Sequence, residues 1–117
     1  MSGHNVLQDV ANGQHLQLDP GAGGTITVKH TAFIPLVSAG AEARALSDPD
    51  SLGQDLTLRM ITDGGDITLT ADTAFNQAGN TILTFGDVGD TAFLRSVQLS
   101  GGAYRWQVIA LDGITAS

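Results

Sequence analysis

Three histidines, His4, His15 and His30, are the first side chains to test for chemistry, because imidazole is the commonest metal ligand and proton carrier near neutral pH. None stands two or four residues from another, so no pair shares the face of a strand or helix as zinc ligands do. They read as polar surface or arm residues. The acidic run Asp48-Pro49-Asp50-Ser51-Leu52-Gly53 places Asp48, Asp50 and Gly53 at positions one, three and six of a calcium loop. Position five is then Leu52, and position twelve is Arg59 where a bidentate Glu belongs, so the match fails at its main ligands. Pro49 suits the first turn of a short helix capped by Ser47 or Asp48 instead. Asp63-Gly64-Gly65-Asp66 and Gly86-Asp87-Val88-Gly89-Asp90 have the chemistry of hairpin turns, where Gly supplies a positive φ. Eleven Asp and a single Glu lie mostly in such turns and form no carboxylate pair for glycoside cleavage. No nucleophile elbow, dinucleotide fingerprint or phosphate loop is present. The expectation is a protein that is not an enzyme, with no catalytic residue, no cofactor and no metal.

Bulk composition narrows the partners. Five Lys plus Arg against twelve Asp plus Glu give a net charge of −7. Nucleic acid needs clustered cations and anionic membrane surfaces need basic patches, so neither is expected as a partner. Cys is absent, which excludes disulfides and thiolate chemistry. The first ten residues lack the basic and apolar regions of a signal peptide. The apolar stretch Thr31 to Ala45 is broken by Pro35, Ser38, Glu42 and Arg44, too polar to span a bilayer. Synthesis in a cytoplasm is expected.

The elements that must position these residues are strands. Fifteen Gly and many Thr, with one Lys and one Glu, disfavour helices. Leu56, Leu58 and Met60 alternate with Thr57, Arg59 and Ile61, and Ile67 and Leu69 alternate with Thr68 and Thr70. Strands are expected over 14–19, 25–30, 42–47, 54–62, 66–71, 81–85, 91–99 and 104–111, with no 20–50-residue repeat. They predict an all-β domain over 14–117, a small antiparallel β-sandwich or barrel with hairpin turns. Residues 1–13 read as a flexible N-terminal arm. A four-residue loop pairing Leu99 with Tyr104 would set Val97 opposite Trp106, Arg95 opposite Val108 and Phe93 opposite Ala110. The expected core therefore includes Phe93, Val97, Trp106, Val108, Leu56, Leu58 and Ile67. Arg95 falls on that apolar face, met either by Asp90 or Asp112 or by a neighbouring subunit, the second being favoured.

From residue 54 onward the order of motifs is informative. Leu56-Thr57-Leu58, Asp63-Gly64-Gly65-Asp66-Ile67-Thr68-Leu69-Thr70 and Thr81-Ile82-Leu83-Thr84-Phe85 are followed by a strand opened by Gly89-Asp90. Tyr104-Arg105-Trp106-Gln107-Val108 and Asp112-Gly113 close the pattern. This succession resembles small β-rich virion proteins of tailed bacteriophages, both capsid decoration (cement) proteins and modules of tail fibres. The resemblance implies a structural virion protein on the capsid surface, a homotrimer that binds the major capsid protein and stabilises the head. The alternative is a tail-fibre or receptor-binding β module that contacts a host surface glycan. Val6, Leu7 and Val10 in the arm and Arg95 in the hairpin are the expected capsid or subunit contacts.

Overall fold

Leu56, Leu58 and Met60 are fully buried while Arg59 and Ile61 are exposed, which marks a strand lying on a core. The computed structural model, which describes residues 15–117, carries this alternation through ten strands. They are β1 (His15–Leu16), β2 (Thr25–Ile26), β3 (Ala32–Val37), β4 (Glu42–Leu46), β5 (Asp55–Thr62), β6 (Ile67–Ala71), β7 (Ile82–Phe85), β8 (Thr91–Gln98), β9 (Tyr104–Asp112) and β10 (Thr115–Ala116). A front sheet has the order β1-β3-β5-β8-β9, and a back sheet has the order β10-β7-β6-β4-β2. The fold is an all-β sandwich.

Its pairing departs from the antiparallel expectation: the sheets are mixed. β1, β3 and β5 run parallel in the front sheet, and β2, β4 and β6 run parallel in the back sheet. The chain switches sheets at each of the first six strands and so winds through three flattened turns. β7 to β10 then complete both sheets antiparallel. The turns differ in length: His15 pairs with Ala32, 17 residues on, and Ala32 pairs with Leu56, 24 residues on. Unequal turns leave no sequence repeat to detect.

The corners explain the glycines. Asp63 to Asp66 is not a hairpin turn but the crossover from β5 to β6, and neither of its glycines has a positive φ. Gly64 N–H donates to Ser38 O at 3.0 Å and Ser38 Oγ donates to Gly65 O at 2.6 Å, so this corner sits directly on the β3–β4 corner. A Cβ on Gly64 would lie 2.6 Å from Ser38 O, and one on Gly65 would strike the backbone of Gly40 and Ala41. Close approach of two backbones requires glycine here.

β3 was not among the expected strands, because Pro35 interrupts its apolar run. Gln17 N–H donates to Phe33 O and Val37 N–H donates to Asp19 Oδ2, so the odd residues of β3 face the β1 side. Pro35 falls between them, beyond the end of the two-residue β1, where no ladder bond is lost. Asp48 to Gly53, expected to hold a helical turn, is non-helical, and a tight glycine turn lies at Ser100–Gly102.

That turn corrects the C-terminal hairpin. Gly101 and Gly102 both take positive φ, and Leu99 N–H donates to Ala103 O, making a five-residue loop. Gln98 therefore pairs with Tyr104, Ser96 with Trp106 and Leu94 with Val108, one residue away from the expected register. A bulge at Ile109 restores the Phe93–Ala110 pairing. Ala92, Leu94 and Ser96 face inward, while Phe93 is half exposed and Val97 is only partly covered. Both expected core assignments on β8 are thus reversed. Trp106, Leu56, Leu58 and Ile67 are buried as expected, and Val108 packs at the margin of the core. Trp106 Nε1–H donates to Ser47 O at 3.0 Å, which satisfies its one polar group.

Candidate functional site: the outer face of the front sheet

Period two sends Phe33, Pro35 and Val37 of β3, Asp55, Thr57, Arg59 and Ile61 of β5, and Thr91, Phe93, Arg95 and Val97 of β8 to the outside of the front sheet. Register aligns Leu16, Phe33, Thr57, Phe93 and Ala110 in one row that crosses all five strands. Leu16, Phe93 and the bulged Ile109 are at least half exposed. Asp55, Arg95 and Gln107 flank the row on one side; Pro35, Arg59, Thr91 and Asp112 flank it on the other. A shallow depression of about 300 Å³ lies between Phe93, Ile109, Thr57 and Arg95.

The back sheet presents a different exterior. Its outward rows are Thr25, Ala45, Thr70, Ile82 and Ala43, Thr68, Thr84, Thr115, with no charged side chain in either.

Arginine is distributed just as unevenly. Arg44 faces inward from β4, and its side chain is fully buried. Its Nε and Nη2 bond Asp19 at 2.7 and 2.9 Å, and Nη2 also meets Glu42 Oε1 at 2.9 Å and Val37 O at 2.9 Å. Asp19 further accepts the N–H groups of Gly21 and Val37, and Glu42 accepts that of Ala39. Burial pushes the Asp19 carboxyl up, but Arg44 and the two amides outweigh it and hold the group below its ordinary value. Glu42 is also lowered, first by the Ala39 amide and then by Arg44, while the Arg44 guanidinium is raised chiefly by Asp19. The network staples the β1–β2 connection to the β3–β4 corner.

Arg59, Arg95 and Arg105 instead lie on the outer front face. Arg95 pairs with Asp55 at 2.7 Å, and both side chains are about half exposed. Neither Asp90 nor Asp112 reaches it, and it does not sit on the core face; the altered hairpin register carries it outward. Its guanidinium is raised by Asp55. Arg59 donates to Thr91 Oγ1 at 2.9 Å, and Arg105 donates to Gln107 Oε1. Neither forms an ion pair among the described residues, and Arg105 Nε is buried without an acceptor.

No family model and no curated protein matches this chain. The front face therefore stands on its own geometry. Of the expected contact residues, Arg95 lies on it, and Val6, Leu7 and Val10 lie outside the described residues. Phe33 and Arg59, which were not anticipated, complete the face together with Arg105 and Ile109. The signal for Arg59 was its place in a clean period-two run; no local signal places Ile109, whose bulge comes from the loop. His15 and His30 come together with ring centroids 5.1 Å apart on the exposed surface. No group of three His, Asp or Glu among the described residues could hold a metal ion, and no helix there is long and apolar enough to cross a membrane.

Proposed function

We propose that this chain is a structural virion protein, a capsid decoration protein that binds the outer surface of a phage head as a homotrimer and stabilises it. The observation that carries the reading is the asymmetry of the two sheet exteriors. A broad row of apolar side chains flanked by arginines is suited to protein contact, where aromatic residues and Arg are enriched and fully charged surfaces are disfavoured. The back face, rich in Thr and Ala, is suited to solvent. The stacked corners and the Arg44 staple give a stiff body, which a protein added in many copies to a lattice requires. The motif succession of residues 54–117 supports a virion role from a separate direction. Net charge of −7 keeps the free protein soluble and resists non-specific clumping before assembly.

The test is direct. Purified protein mixed with undecorated heads should sediment with them at a fixed number of copies per head and raise the temperature at which they rupture. Binding to host cells, with none to heads, would instead establish the tail-fibre or receptor-binding module.

A further inference from the structure

We propose that the outer front face seats a second copy of this chain, which makes it the contact that builds the oligomer. This rests on the homotrimeric reading above and names the surface responsible. The row from Leu16 to Ala110 spans five strands, about 19 Å at ordinary strand spacing, and offers an aromatic and aliphatic strip around Thr57. Thr57, at its centre, is already buried between neighbours, so a partner need cover Leu16, Phe33, Phe93, Ile109 and Ala110 to close the strip.

Charge selects the occupant. Three of the five Lys and Arg residues lie on this face beside two carboxylates, Asp55 and Asp112, so the face carries +1 of the net −7 and the rest of the chain −8. Arg59 and Arg105 have no carboxylate of their own among the described residues. An acidic body is what such a face accepts, and another copy of this chain is one. The exposed corner residues Asp63, Asp66 and Asp87 form no ion pair among the described residues and supply that acidity. An isologous front-to-front contact closes at two copies, so the homotrimeric reading requires a heterologous one: the front face of one copy against an acidic part of the next. A heterologous contact that closes makes a ring, and a ring of three meets the homotrimer.

Light scattering on the full chain tests this. Wild type should have three times the mass of the 12.1 kDa chain, falling toward one chain as salt rises. Phe93→Asp should give the single-chain mass with an unchanged circular dichroism spectrum, and Arg59→Glu should do the same if Phe93→Asp fails to fold. Thr70→Asp, on the back face, should keep the trimer mass. A folded Phe93→Asp or Arg59→Glu that keeps the trimer mass overturns this face and leaves the homotrimer standing. Wild type that remains a monomer overturns both, while head binding would still decide the decoration reading.

Discussion

Arg44 and Arg95 both sit on strands and both hold an aspartate at 2.7 Å, yet they belong to opposite regimes. Arg44 lies inside the sandwich with every major contact made by the protein: two carboxylates and a carbonyl. Arg95 lies on the outer front face in water, beside an apolar row and between two arginines that have no carboxylate among the described residues. Removing water from an ion pair makes its loss costly, whereas a solvated pair exchanges partners at little cost. With only five cations, the chain commits one to holding its own corners together and three to a face that its fold does not need them on.

The largest effect should come from breaking the inner pair. Arg44→Ala leaves Asp19 desolvated with only amide donors, and should cost about 3–5 kcal/mol in a denaturant titration. A smaller loss would mean that water reaches Asp19 readily, and the contrast with Arg95 would narrow. A double-mutant cycle of Arg44 with Asp19 sharpens the point, since its coupling should far exceed that of Arg95 with Asp55.

Acid separates the regions next. The Asp19 and Glu42 carboxyls are depressed in the folded state, so their stabilisation is complete at neutral pH and is lost as pH falls through and below the ordinary carboxyl values of 3.8 and 4.5. Thermal melts between neutral pH and pH 3 should show a steep decline that Asp19→Asn flattens. Both guanidiniums stay protonated throughout, so the decline belongs to the Asp19 and Glu42 carboxyls. The smallest effect on folding belongs to Arg95→Ala, which should leave the melting midpoint unchanged and yet shift the light-scattering mass toward smaller species. A lowered midpoint with unchanged mass would make Arg95 a folding residue and erase the distinction.

What could be read from the sequence follows the same division between local and distant causes. Leu56, Leu58 and Met60 alternate within one strand, and their burial was legible because nothing beyond neighbouring residues decides it. The register of β8 was not. Ala92 and Leu94 on one side and Phe93 and Val97 on the other give both faces apolar character, and the hidden choice is made by the positive φ of two loop glycines. Arg44 in Glu-Ala-Arg-Ala-Leu looks like an ordinary polar position until Asp19, 25 residues earlier, is brought to it. The same holds for Gly64 and Gly65, whose reason for being glycine lies on another corner. Arg95 was recognised as a contact residue from its apolar surroundings. Those surroundings were placed on the core face, and the altered register puts Arg95 on the outer row instead.

The absence of cysteine allows the central claim to be tested with single thiols. Ile109→Cys on the front face and Thr70→Cys on the back face are both exposed positions in the isolated chain, and maleimide labelling can be timed in assembled protein on heads. The account predicts that the thiol at position 109 is shielded on assembly while the thiol at position 70 keeps its full rate. Equal labelling of the two positions in the assembled particle would contradict it.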